Sequence, residues 1–209
     1  MSMSLEARLY YFACNLLWST LSSIEYLIEQ VNSTEARQHM DKWYDIEEEL
    51  ADWSLKESIF AVNSEKLTKT DAEILHAAER NHSDPLFTKW TKVLLSAASS
   101  AHAIYPTISD TMWLYYYYCR WISYVLSEFD RLLQESELTA TKFHHRYQEN
   151  IQLFKNLTDL LRFELSSIYA HRDANQAVIE VLADLETNTM QLSVEWREAI
   201  LEAATNFKL

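Results

Sequence analysis

Glycine is absent from all 209 residues of the chain, although average usage of about 7% would supply roughly 15 of them. Glycine normally provides the positive-φ positions of hairpins and tight turns, so its absence argues against a multi-stranded sheet. It also excludes the glycine-rich fingerprints of dinucleotide-binding and phosphate-binding loops. Only Pro85 and Pro106 remain as strong helix breakers, so the chain is predicted to consist of helices joined by short polar turns.

Positive charge and long apolar runs are also scarce. The chain has 18 Lys and Arg against 31 Asp and Glu, a net charge of −13. A nucleic-acid coat protein or a binder of anionic membranes needs concentrated Lys and Arg, so we expect no membrane and no direct nucleic-acid partner. Arg120 interrupts the most apolar segment, which leaves no run long enough for a membrane helix. Residues 1–6 lack a basic region followed by an apolar run, so we expect a cytoplasmic location.

The two cysteines, Cys14 and Cys119, lie within apolar helical patterns and are predicted to be reduced core thiols. No Cys-x-x-Cys pair and no nucleophile elbow is present in the sequence. Thiol redox and serine chemistry therefore gain no support, and no cofactor is expected.

Apolar periodicity and capping signals predict where the helices begin and end. Ser4 is expected to cap a first helix that runs to about residue 31, and a second helix covers about 35–53. Capping-box patterns that begin at Ser54 and Thr70 predict two shorter helices, near 55–63 and 71–81. The Asp84-Pro85 pair predicts a new helix that starts there and runs to about residue 103.

The C-terminal half is predicted to hold two long helices, near 109–135 and 138–170, followed by helices near 173–187 and 190–204. The two long helices are expected to form an antiparallel pair at the centre of the fold. The predicted fold class is an all-α bundle of seven to nine helices. We divide it into an N-terminal half, 1–104, and a C-terminal half, 105–209, which are expected to pack as one unit.

The helix near 109–135 carries more aromatic side chains than one apolar stripe requires. Either it is central to the bundle or it forms an interface with a partner or a second copy of the chain, because Tyr and Trp are favoured in interface cores. A nucleobase-stacking surface would pair these aromatics with several Lys and Arg, and only Arg120 is near. We therefore predict a partner-binding surface made of Trp113, Tyr116, Tyr117, Arg120 and Trp121.

Glu73, His76, Glu79 and His82 form two overlapping Glu-x-x-His motifs. Residues three apart are neighbours on a helix, so a carboxylate and an imidazole could share one metal ion. Carboxylate di-iron bundles, however, need this motif on each of two helices, and here both copies are on one. These four residues remain weak metal candidates beside the simpler interpretation of an exposed charged helix, and no metal is expected.

The run Ile168-Tyr169-Ala170-His171-Arg172-Asp173 resembles the Ala-His-Arg-Asp tail of HEPN-superfamily helical proteins of the abortive-infection type. The resemblance implies a small all-α bundle that usually dimerises. Many members are metal-independent endoribonucleases in phage defence and toxin–antitoxin systems, with a motif of Arg, four to six residues, then His. In such a site the Arg steadies the scissile phosphate and the His manages protons.

The chain departs from that motif. The three positions at which the upstream Arg would lie hold Glu164, Leu165 and Ser166. Arg162 is the nearest upstream arginine, but nine helical steps to His171 turn about 900° and advance ~13.5 Å, which places the two on opposite faces of an unbroken helix. Arg172 could instead bind phosphate, or a dimer could supply Arg146 or Arg162 from the other subunit.

A structural role for His171 is an alternative, because His and Arg suit the negative end of a helix dipole, where Asp173 would cap the next helix. The resemblance leads us to expect a non-catalytic HEPN-like helical protein that binds a protein partner or forms a homodimer, in bacterial defence or a toxin–antitoxin system. The competing enzyme hypothesis is metal-independent cleavage of RNA by His171 with Arg172 or Arg162. A metal-binding helical bundle is the third possibility.

Overall fold

The computed structural model describes residues 3–31, 34–135, 142–153, 155–156, 159 and 176–207, and side chains within these ranges except 23–47, 82, 176–182 and 185–186. Every regular element in these ranges is a helix. The six helices with defined bounds are α1 (Leu5–Val31), α2 (Thr34–Ser64), α3 (Lys69–Ile104), α4 (Asp110–Glu135), α5 (Lys142–Glu149) and α6 (Gln176–Asn206). The predicted all-α class is confirmed.

Several helices are longer than their capping signals predicted. Ser54 does not start a helix, because it lies inside α2, where its buried hydroxyl donates to the carbonyl oxygen of Cys14 on α1. Pro85 lies inside α3 and does not begin a new helix. Buried residues occur on both sides of this proline, from Leu75 to Trp90, so packing of the whole helix outweighs the local restart signal.

In the turn between α2 and α3, a residue other than glycine adopts a positive φ angle. Lys66 adopts a φ of 54°, in the left-handed region that glycine usually occupies. Thr68 then caps α3, because its hydroxyl accepts from the backbone N–H of Asp71 at 3.2 Å. The Asp71 carboxylate accepts from the N–H of Thr68 at 3.1 Å. The capping box thus begins two residues before the predicted position at Thr70.

Helix α4 lies at the centre of the bundle and packs against α1, α2, α3 and α6. Its aromatic side chains interlock with those of its neighbours: Trp121 lies 4.4 Å from the Trp90 ring on α3, and Phe129 lies 6.4 Å from the Trp196 ring on α6. The buried cluster draws on both predicted halves, 1–104 and 105–209. The aromatic surplus of α4 therefore fills the interior between surrounding helices.

Of the helix predicted at 138–170, the structure describes α5 and further helical residues up to 159, and α5 contacts the C-terminal end of α4. Tyr147 on α5 lies 5.7 Å from the Phe129 ring, and its hydroxyl donates to Asp130 at 3.3 Å. Asn150 forms a turn after α5, and helical backbone resumes at residues 151–153. Helix α6 is continuous over the two helices predicted at 173–187 and 190–204, from Gln176 onward.

Candidate functional site

The residues that carry the HEPN resemblance lie outside the described part of the chain. Arg162, His171, Arg172 and Asp173 all belong to this group, so their predicted roles remain predictions. Arg146, the other arginine that a second subunit could have supplied, is engaged within its own chain. Its Nη2 donates to Glu57 Oε1 at 2.8 Å, and its Nη1 pairs with Glu149 at 3.0 Å.

The predicted partner-binding surface on α4 is wrong. Trp113, Tyr116, Tyr117 and Trp121 are fully buried within the single chain, because α1, α3 and α6 surround the helix that carries them. Arg120 is only partly buried, and its Nη2 donates to the Tyr124 hydroxyl at 2.9 Å. A partner cannot contact the four rings in this fold, so the surplus aromatics serve intramolecular packing.

Two of the metal candidates on α3, Glu73 and Glu79, differ in their exposure. Glu73 is exposed and pairs with Lys69 at 3.9 Å, whereas Glu79 is buried, with its carboxylate 3.7 Å from Nδ1 of His76. The side chain of His82 lies outside the described residues. No group of three or more potential ligands occurs among the residues that the structure describes. Successive positions spaced by three residues move gradually around a helix, which accounts for the different exposure of these side chains.

Burial gives Glu79 unusual electrostatics. Desolvation raises the pKa of its carboxyl above the ordinary value, because the charged form is disfavoured away from water. On α1, burial and the nearby Glu79 charge raise the pKa of Tyr11 to about 12. Tyr11 and Glu79 therefore lie close together where α1 and α3 pack, and their shifted pKa values follow from that packing.

A second buried polar centre joins α1, α2 and α5. Glu57 is 1% exposed and accepts from the Tyr10 hydroxyl at 3.2 Å as well as from Arg146. Burial is the main cause that raises the pKa of Tyr10, and the Cys14 and Glu57 charges add to it. Burial likewise raises the pKa of the Cys14 thiol. Both groups stay protonated, and the contact between Arg146 and Glu57 attaches α5 to this centre.

A groove between α3 and α6 is the best candidate for a binding site in the described part of the chain. Its volume is about 370 Å³. Helix α3 contributes one wall and α6 the other, and the lining residues are Lys89, Lys92, Val93, Ser96, Ala97, Asn188, Gln191, Leu192 and Glu195. Pockets that bind ligands occupy roughly 300–1,000 Å³, so this groove lies at the small end of that range.

The side chains of the groove explain its shape. Ser96 and Ala97 are small, so α3 leaves space there that a larger side chain would fill. Ala97 and Leu192 are almost fully buried and, with the half-buried Val93, form an apolar floor. Polar side chains surround that floor at the rim. An apolar floor with a few polar groups at its edge is the usual arrangement of a recognition site.

The two lysines at the rim differ in their ion pairing. Lys89 donates from Nζ to Glu195 Oε2 across the groove at 2.5 Å. Lys92 is exposed and has no ion-pair partner among the described residues. Among the described residues, the rim therefore carries one positive charge without an ion-pair partner, although the chain as a whole carries −13.

This groove was not predicted from the sequence. The available signal was the pair Lys89 and Lys92, spaced one turn apart and followed by the small residues Ser96 and Ala97. That spacing places both ammonium groups on one face. The opposite wall comes from residues about a hundred positions further along the chain, and no local pattern connects the two.

No protein-family model, no curated protein and no solved structure matches the chain. Over the described residues, no helix has an apolar stretch that would carry it through a bilayer.

Proposed function

We propose that this protein is a non-catalytic, HEPN-like helical protein that acts by binding a protein partner in the groove between α3 and α6. The observation that carries the proposal is the groove itself, an apolar floor with a polar rim on two long helices. Helical grooves of this kind receive apolar side chains from a partner's helix or loop. Rigid walls reduce the entropy that binding would otherwise cost.

The packing around the groove supports a fixed recognition surface. Lys89 and Glu195 join its walls by an ion pair. Further along α6, Arg197 pairs with Glu128 at 2.8 Å and with Glu135 at 3.1 Å, which ties α6 to α4. A site held on helices by such contacts keeps its shape between the free and bound states.

The biological setting rests on the resemblance at Ala170 to Asp173. It favours a role in bacterial defence or in a toxin–antitoxin pair, where helical proteins bind one another. The partner is a different protein or a second copy of this chain. The size of the purified protein in solution distinguishes these two arrangements, because self-association enlarges the particle without any added component.

Affinity capture from extracts of the cells that encode the protein tests the proposal. Ser96 is exposed and lines the groove, so Ser96→Trp should fill it. Ser99 is also exposed on α3 but does not line the groove, so Ser99→Trp is the matched control. A partner that is retained by Ser99→Trp and lost by Ser96→Trp supports the proposal, and one that is retained by both contradicts it.

The competing proposal is metal-independent cleavage of RNA, favoured by the run from Ala170 to Asp173. Incubation of the purified protein with structured RNA in the presence of a chelator tests it. Cleavage that disappears in His171→Ala would replace the binding role by a ribonuclease role. Intact RNA in both samples would agree with the non-catalytic proposal.

A further inference from the structure

We propose that the groove between α3 and α6 recognises an apolar side chain with a carboxylate beside it, and that Lys92 is the residue that selects the carboxylate. This inference rests on the proposed function and names the chemistry of the partner segment. The partner segment would place its apolar group on the floor and its acidic group at the rim.

The apolar part of the proposal follows from the floor. Ala97 is 3% exposed and Leu192 is 5% exposed, and they lie beneath an open space of about 370 Å³. That space is too small for a whole helix, and it suits one or two apolar side chains that project from a partner. Burial of one such side chain removes apolar surface from water and offsets part of the cost of association.

The acidic part follows from the charges at the rim. Glu195 already neutralises Lys89 through their contact at 2.5 Å. Lys92 lies one helical turn further along α3, is exposed and has no such partner among the described residues. A carboxylate placed over Val93 would gain an ion pair with Lys92, and Asn188 and Gln191 on the other wall could donate hydrogen bonds to it.

The same charges argue against other ligands. A cationic group would meet the Lys92 ammonium without compensation, because Glu195 is already paired with Lys89. A dianionic phosphate would meet one free ammonium and the Glu195 carboxylate. Phosphate sites usually offer guanidinium forks or several backbone N–H groups, and the lining includes no arginine. A single negative charge is the best match.

Small probes test the chemistry independently of the natural partner. We expect 2-naphthoate to bind the 209-residue chain, with NMR shifts centred on the groove, and to bind more tightly than the uncharged 2-naphthamide. 2-Naphthylmethylamine should bind least. An exposed ion pair contributes about 0.2–1 kcal/mol, so Lys92→Gln should weaken naphthoate binding up to about fivefold, and Lys92→Glu more. Lys69→Gln, which lies at the start of α3, is the control and should not change it.

Equal binding of the naphthoate and the amide, or equal binding by the wild type and Lys92→Glu, would overturn the inference. Affinity capture of the partner then distinguishes a failure of this inference from a failure of the proposed function. Capture that is lost in Ser96→Trp but unchanged in Lys92→Glu would retain the binding role and reject the acidic preference. Capture that is lost in both, and unchanged in Lys69→Gln, would support the two together.

Discussion

The guanidinium of Arg146 closes over the buried carboxylate of Glu57, with Nη2 and Oε1 separated by 2.8 Å. Arg146 is partly exposed on α5, whereas Glu57 lies 1% exposed on α2. The Arg146 guanidinium also lies 5.0 Å from the centre of the Phe60 ring. One contact therefore neutralises a buried charge and attaches α5 to the α1–α2 pair.

We predict that Arg146→Met destabilises the fold, because it leaves the Glu57 carboxylate buried with Tyr10 as its remaining partner. Breaking a fully buried pair costs about 3–5 kcal/mol, and the partial exposure of Arg146 reduces our expectation to about 2–3 kcal/mol. Urea unfolding measures the change. Adding Glu57→Gln should recover part of the loss, because the neutral amide needs no counter-charge.

Lys56→Met provides the comparison for this variant. Lys56 and Asp52 form an ion pair on the exposed face of α2, so its loss should change the free energy of unfolding by less than about 1 kcal/mol. A similar loss in Lys56→Met and Arg146→Met would contradict the special role of the Glu57 contact.

We predict that Glu79 gives the folded protein a specific pH dependence. Desolvation raises its pKa in the folded state above the unfolded value of 4.5, so the folded state holds the proton more tightly. Its contribution to stability is therefore fully present below that unfolded value and is lost as the pH rises through the raised folded value. Glu79→Gln should remove this slope and unfold at a higher urea concentration at neutral pH.

Thermal or urea unfolding between pH 4 and pH 8 measures the effect. Glu73→Gln changes an exposed carboxylate on the same helix and should keep the wild-type slope. The assignment fails if Glu79→Gln keeps that slope as well, or if it is less stable than the wild type at neutral pH.

We predict that two threonines near the start of α3 contribute differently to the stability of the fold. Thr68 is the observed cap and Thr70 the predicted one. Replacement of a capping threonine by alanine typically costs about 1 kcal/mol, so Thr68→Ala should lower stability by that amount and Thr70→Ala by much less. Because the bonds from Thr68 lower the pKa of Asp71, the stabilisation should be lost as the pH falls through the lowered value. The opposite ranking of the two alanine variants would place the cap at Thr70.

The aromatics of α4 should respond to mutation as core residues. Trp121 is fully buried and packs on Trp90, so Trp121→Ala is expected to cost about 3–5 kcal/mol of stability. Trp18 is 38% exposed on α1, and Trp18→Ala should cost much less. Circular dichroism during thermal unfolding compares them. A Trp121→Ala protein with wild-type stability would restore the interpretation of this residue as a binding surface.

Local sequence signals predicted the elements of this fold better than their ends. The absence of glycine predicted the helical class, and Ser4 begins α1 as expected, since its Oγ accepts from the N–H of Ala7 at 3.3 Å. Ser54 misled because it is buried where α2 packs against α1, and Pro85 misled because α3 is anchored by buried residues on both sides of it. At both positions tertiary packing outweighs the local helix and capping preferences, which are worth about one to three kcal/mol.

The candidate site was less accessible to sequence reasoning than the fold. A surplus of Trp and Tyr on one helix has the same pattern whether a partner or the chain itself covers it, and only the positions of α1, α3 and α6 decide between these cases for α4. The groove depends on Ala97 and Leu192 meeting from distant parts of the chain. Such a contact depends on how the helices are arranged in the fold. The apolar periodicity of the sequence does not specify that arrangement.

The affinity of the captured partner for three versions of the chain tests the central claim most directly. Isothermal titration should give equal dissociation constants for the wild type and Ser99→Trp, and binding weakened at least tenfold for Ser96→Trp, with unchanged unfolding curves in all three. Equal affinity of Ser96→Trp and the wild type would show that the groove between α3 and α6 is not where this protein binds.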